Sequence, residues 1–223
     1  MSRKVRVSCQ GGRDFCFEPT STAFMVIDMQ RDFLDPQGMC AFEGEDLAPL
    51  SRIIPTIATL TKLSRQRGLN LVHTREGYAS DLSDVHPLKR ERMSVGKEGP
   101  LGRFLIRGEP GHDFVEELMP RRGELVIDKP GFSAFYRTHL DDELRRLGIT
   151  HLILTGVTTQ CCVQSTLRSA VDRGYWCLAL ADACAAFEPE VHAAALRLIE
   201  AESHLFGWVT QAVHLASALD ASV

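Results

Sequence analysis

"HLILTGVTTQCCVQSTLRSA", residues 151–170, decides the fold of this chain. His151–Gly156 is a short apolar run of strand length. Thr158 and Thr159 are residue types that cap helices, and beyond them Val163, Leu167, Ala170 and Val171 recur at helical spacing through Thr159–Arg173. A strand therefore runs into a helix, and the pattern repeats on both sides. Upstream, Thr22–Asp28, Leu69–Thr74 and Glu124–Lys129 read as strands. Downstream, Tyr175–Asp182 and His204–Thr210 do the same. Helices fill the gaps: one within 47–68, with Pro55 marking a kink or a later start, one over "HLDDELRRLG", one near Glu188–Ala201 and one near Gln211–Leu219. Strands alternating with helices call for a parallel sheet covered on both faces. The expected fold is α/β, a three-layer α/β/α sandwich on a mainly parallel, roughly six-stranded sheet. A single domain over 1–223 is expected, with 75–123, too long for a simple connection, acting as a covering loop.

The composition agrees with that reading. The chain is 44% hydrophobic and 24% charged, with a net charge of −4, so no basic field draws nucleic acid or anionic lipid. No apolar run is long enough for a membrane span, and the N-terminal residues lack the apolar core of a secretory signal. Seven cysteines without the rhythm of a small stapled scaffold point to reduced thiols and a cytoplasmic location.

Open parallel sheets bind ligands beyond the C-terminal ends of their strands. Asp28, Lys129 and the Cys161–Cys162 pair all follow strands and so share one rim. Singly, each has an ordinary explanation: a turn acid, a solvated lysine, a cysteine filling core. Together they supply a base, a cation and a nucleophile. A thiol in the first turn of a helix, beside unpaired N–H groups or a cation, is expected to fall from about 8.5 toward roughly 3.5–7.5. Neither cysteine lies at the centre of the buried stripe, so periodicity leaves open which one reacts.

The segments "VIDMQRDF", "VIDKPGFSAF" and "GVTTQCCVQSTLRSAVDRGY", in that order, resemble the cysteine hydrolases of the isochorismatase-like superfamily over roughly Thr22–Trp208. That resemblance implies Cys162 as nucleophile, because the reactive cysteine there directly precedes valine, and leaves Cys161 a packing role. It implies a catalytic set of Asp28, Lys129 and Cys162, a cis peptide between Val157 and Thr158, and an oxyanion hole formed by the Thr158 and Cys162 N–H groups. It also implies a homodimer or homotetramer.

The resemblance further implies no cofactor and no metal. The metal-binding nicotinamidases of the superfamily use an Asp-x-His segment and a further His after the second strand. Here "HTREGYASDLSDVH" offers only scattered His73, Asp81, Asp84 and His86. "HTREGYASDLSD", "GRFLIRGEPGHDFVEEL" and "DKPGFSAFYRTHLDDEL" are similar to the biuret and triuret hydrolase and N-carbamoyl amidohydrolase branch. The expected substrate is thus a small ureido compound, a linear urea oligomer foremost, with ureidoacrylate or an N-carbamoyl amino acid as the alternative and an inactive binding module as a third reading. Gln30 and Phe33 are expected as pocket walls. Glu202, Arg75 and Arg107 are expected as substrate contacts, with Arg103 a further reach from the loop.

Overall fold

The computed structural model describes residues 4–221. Two strands not anticipated from the sequence come first, β1 (Val5–Ser8) and β2 (Asp14–Phe17), an antiparallel pair. Val5, Val7, Phe15 and Phe17 are buried, and the alternate residues face away, the period-2 signature of a half-covered pair. The main sheet is built from β3 (Thr22–Ile27), β4 (Asn70–Glu76), β7 (Leu125–Lys129), β8 (His151–Val157), β9 (Trp176–Ala185) and β10 (Trp208–Thr210). Between β4 and β7 lies a two-residue pair, β5 (Glu98–Gly99) and β6 (Gly102–Arg103). The main sheet runs β10-β9-β8-β3-β4-β7 with every neighbouring pair parallel. Helices pack on both faces, giving a three-layer α/β/α fold.

Side-chain alternation along β3 divides the core between the layers. Phe24 and Val26 join Ile57, Leu60, Leu215 and Leu219 from the helices Ile54–Gln66 and Ala212–Asp220. Ala23, Met25 and Ile27 join Leu144, Leu167 and Ile199 from the helices Leu140–Arg146, Gln164–Val171 and Pro189–His204. Each fully buried Leu, Ile or Phe of this kind contributes about 1.5–3 kcal/mol before entropy is counted. Pro55 sits in the first turn of its helix, where its missing N–H costs nothing.

The strand expected over His204–Thr210 is shorter. Helical backbone breaks at Ala201, with left-handed backbone at Glu202, Ser203 and His204, and only Trp208–Thr210 pairs with β9. This corrects the role expected of Glu202. It is exposed and precedes β10, and in a parallel sheet the chain entering a strand lies at the rim opposite the strands' C-terminal ends. Glu202 is therefore on the far side of the sheet from Asp28 and Cys162.

The chain visits β3, β4 and β7 in one direction and then returns to place β8 on the other side of β3. The strand order reverses between β3 and β8, which is where such sheets leave a crevice. The covering segment closes over this rim with its own buried cluster of Tyr78, Val85, Val95, Phe104, Leu105 and Ile106, joined by Met39. Gly77 fastens one edge: a Cβ there would lie 2.2 Å from His112 Nε2, so only glycine lets these two parts meet. No described helix is long and apolar enough to cross a membrane.

Candidate active site

Asp28 ends β3 with left-handed backbone, φ 51°, which turns the chain sharply and leaves the carboxylate buried at the strand tip. Its Oδ1 accepts from Thr74 Oγ1 at 2.7 Å. Its Oδ2 lies 2.7 Å from Lys129 Nζ and receives no further donor among the described residues. Lys129, the last residue of β7, is fully buried. Its ammonium also donates to Gly131 O at 2.8 Å and reaches Cys162 Sγ at 3.5 Å.

Cys162 lies in a π-helical turn, Thr159–Val163, rather than in the first turn of a regular α-helix. The Thr158 carbonyl takes the N–H groups of Cys161 and Val163, and the Val157–Thr158 peptide is cis. Gly156 makes the approach possible: its φ is 110°, and a Cβ there would stand 2.0 Å from Ile27 O. Thr159 Oγ1 is joined to His192 Nδ1 at 2.8 Å, tying the turn to the helix Pro189–His204.

The fourth ionisable group is one that sequence reasoning missed. Glu76 ends β4, 1% exposed, with Oε1 accepting from Tyr78 Oη and Lys89 Nζ, each at 2.6 Å. Its Oε2 lies 3.6 Å from Lys129 Nζ and accepts from the Cys162 thiol at 3.6 Å. The strand was expected to stop at Thr74, which consigned Glu76 to a loop. The extra two residues of β4 carry it to the rim, and the signal available was an acid in register with Thr74.

Electrostatics separate the two acids. Complete burial pushes the Asp28 carboxyl above its ordinary value; Lys129 opposes this and Glu76 adds to it. Burial also raises Glu76, but Lys129, Lys89 and the Tyr78 hydroxyl more than offset it, so Glu76 ends below the usual range. Burial works against the Lys129 charge, yet Asp28, Cys162 and Glu76 hold it firmly protonated. The Cys162 thiol is pushed well up by the adjoining Cys161 thiol and by burial, with Lys129 pulling the other way. Of the two thiols expected to be lowered at the helix start, Cys161 is lowered and Cys162 is raised instead. In a buried site beside two carboxylates, the neutral form of the Cys162 thiol is favoured.

Asp28, Glu76 and Cys162 hold donor atoms within 4.8 Å of one another, a spacing that suits a cation. Lys129 Nζ lies among them and supplies that positive charge. The scattered histidines and acids near β4 stay apart. His73 Nε2 meets Glu124 at 2.9 Å, Asp84 pairs with Arg107, and Asp81 and His86 accept from Ser83 N and Leu88 N.

The expected substrate contacts mostly serve the scaffold. Gln30 is no free wall: its Nε2 donates to the carbonyls of Glu76 and His112, and its Oε1 accepts the Glu76 N–H at 2.7 Å. It clamps the tip of β4. Phe33 is half-buried and meets Phe104 edge-on at 6.0 Å. Arg75 alternates with Thr74 and Glu76 along β4, so it projects from the other face, onto Asp128, Asp113 and the Phe114 ring. Arg107 is spent on Gly77 O and Asp84, and Arg103 on Ser80 O and Glu109. All seven cysteines are free thiols.

With the geometry in view, the comparisons are informative. The isochorismatase domain matches residues 22–213. The ureidoacrylate amidohydrolase RutB of Pantoea ananatis (strain LMG 20103) is 32% identical over 213 residues, covering 91% of this chain and 84% of that protein. RutB of Serratia proteamaculans (strain 568) is 33% identical over 203 residues, 87% and 81% of the two chains. A cysteine hydrolase from Pseudomonas syringae pv. phaseolicola 1448A superimposes with a TM-score of 0.81 at 26% identity, covering 100% of both chains.

Proposed function

This chain belongs to the isochorismatase domain family, and from that premise we propose that it cleaves the amide bond of a small ureido acid through a thioester on Cys162. It is a hydrolase acting on amide bonds. The observation that carries the finer reading is the buried contact set of Asp28 Oδ2, Lys129 Nζ and Cys162 Sγ at the strand tips.

Each group has one task. Asp28 Oδ2 takes the proton from the Cys162 sulfur, and its raised affinity for protons suits it to that work. The sulfur electron pair forms a bond to the substrate carbonyl carbon, and the carbonyl pair moves onto oxygen. The Thr158 and Cys162 N–H groups receive that oxyanion. As the oxygen pair returns, the C–N bond breaks and Asp28 hands its proton to the leaving nitrogen, which departs as ammonia if terminal. Water then attacks the thioester while Asp28 removes its proton. The C–S bond breaks, and the proton returns to sulfur. Lys129 keeps its charge throughout, stabilising the thiolate and holding the acid in place.

The two RutB relatives support a ureido acid such as ureidoacrylate as substrate. A second reading, a neutral urea oligomer such as biuret or triuret, is favoured by one observation. Lys89, Arg75, Arg103 and Arg107 are each engaged by an acid, so none of these cations stands ready for a substrate carboxylate. Ammonia release from ureidoacrylate, N-carbamoylsarcosine, biuret and triuret, assayed in parallel with a chelator control, tests both. The acids should turn over fastest, and Cys162→Ala should release nothing. Fastest turnover of biuret or triuret would establish the second reading. Undiminished turnover by the Cys162→Ala protein would end both.

A further inference from the structure

We propose that Glu76 is a second acid of the catalytic centre, whose Oε2 accepts an N–H from the nitrogen attached to the carbonyl under attack. This rests on the amide-hydrolysis reading above and adds a residue to it. The two oxygens of Glu76 have unequal surroundings. Oε1 is saturated by the Lys89 ammonium and the Tyr78 hydroxyl, both at 2.6 Å. Among the described residues, Oε2 has only long contacts at 3.6 Å, to Lys129 and to the Cys162 thiol. It is a buried carboxylate oxygen aimed at the reacting sulfur, with capacity for a shorter, better donor. A ureido or amide nitrogen brings such a donor to the sulfur; an ester does not.

The surrounding residues lock that polarity. An ammonium is donor-only, so Lys89 admits nothing but an acceptor beside it. Lys89 is itself fixed by Tyr78 Oη at 2.6 Å and by the Phe132 ring, 3.8 Å from its charge. The Glu76 backbone cannot drift either, because Gln30 binds both its N–H and its carbonyl. The two acids thus divide the labour: Asp28 moves protons, and Glu76 selects for nitrogen.

Glu76→Gln tests this without changing size. Beside Lys89 the new side chain must turn its carbonyl toward the ammonium, which swings its NH2 toward the sulfur and the substrate nitrogen. Donor then meets donor. Alkylation of Cys162 by iodoacetamide and by methyl iodoacetate, each normalised to its rate with glutathione, reads the effect one atom removed: the sulfur attacks the carbon beside the carbonyl, and the two reagents differ in whether that carbonyl carries an N–H. Wild type should prefer the amide, and Glu76→Gln should cut that preference at least tenfold. Glu76→Gln/Lys89→Met frees the new amide to present its oxygen and should regain most of the preference. Glu76→Ala/Lys89→Met, with no acceptor and no stranded ammonium, should lose it even if the Gln variant folds poorly.

An unchanged preference in Glu76→Gln and in Glu76→Ala/Lys89→Met overturns the proposal. So does an equal slowing of both reagents, which would make Glu76 the base for the thiol. A wild type that shows the preference but releases no ammonia from any ureido compound would refute the substrate reading while leaving the acceptor role intact.

Discussion

Replacing Lys129 by methionine should destabilise the protein in a pH-dependent way. The ammonium is fully buried, 2.7 Å from Asp28 and 3.6 Å from Glu76. Without it, Glu76 keeps Lys89, but Asp28 keeps only the hydroxyl of Thr74. Removing one partner of a buried ion pair costs about 3–5 kcal/mol, against a total stability of about 5–15 kcal/mol for a domain. At about 2–4 °C per kcal/mol for a chain of this size, the melting temperature should fall by about 6–20 °C at pH 8. The direction with pH follows from Asp28. Its folded pKa is already raised and rises further once the ammonium is gone. A raised acid favours the folded state below its unfolded value of about 3.9, and that advantage is lost as pH climbs through the folded value. The deficit of Lys129→Met should therefore shrink between pH 8 and pH 5. Asp28→Asn/Lys129→Met, which buries no unpaired charge, should recover most of the loss at pH 8. Thermal unfolding followed by circular dichroism at both pH values measures this. A variant within 2 °C of wild type at pH 8, or a deficit identical at both pH values, would refute the reasoning; the 2 °C bound corresponds to under about 1 kcal/mol.

Cys161→Ala removes the neighbouring thiol that, with burial, pushes the Cys162 thiol up, so iodoacetamide should label Cys162 at a lower pH than in wild type while turnover persists; loss of turnover would assign Cys161 more than packing. Gly77→Ala drives a methyl into His112, 2.2 Å away; overpacking of this sort costs about 1–3 kcal/mol, and limited proteolysis should cut within 78–107 sooner than in wild type. His112 and Asp32 oppose one another in acid. Burial, helped by Arg75, holds His112 down to about 4, so its contribution is complete above about 6.5 and is lost as pH falls toward 4, about 3 kcal/mol in all. Burial lifts Asp32 to about 6, so its contribution is present below about 3.9 and is lost as pH rises through 6, again about 3 kcal/mol. Between pH 7 and pH 4.5, His112→Asn should gain stability relative to wild type and Asp32→Asn should lose it, as urea midpoints will report.

The layers of the fold and three strand-tip residues were legible in the sequence because they follow local rules. Buried parallel strands write themselves as unbroken apolar runs, and "TAFMVID", "ELVIDK" and "HLILTG" each end at or near a residue of the site. What escaped depends on distance along the chain. Glu76 matters because Lys129, Lys89 and Cys162 converge on it from three other segments, and no spacing within "HTREGY" reveals that. Arg75, its neighbour, is expected as a substrate contact, yet strand alternation sends it to the opposite face. Gln30 was read as a pocket wall, whereas a side-chain amide beside unpaired backbone at a strand tip satisfies that backbone first. Glu202 sits away from the strand tips for a topological reason: likeness to a motif says nothing about which end of the sheet a loop occupies. The thiol was misjudged because a helix start was weighed without the burial and the neighbouring sulfur that outweigh it.

The contact at Gly156 sets what this protein can and cannot adjust. There β8 lies directly on the main chain of β3, backbone against backbone, so the acid that follows one strand and the sulfur that follows the other ride on a single rigid unit. Repacking the outer helices by mutation or heat displaces both together and leaves their separation nearly constant. Substitutions in the covering segment over the rim should therefore change what this chain binds without moving the acid and the sulfur beneath.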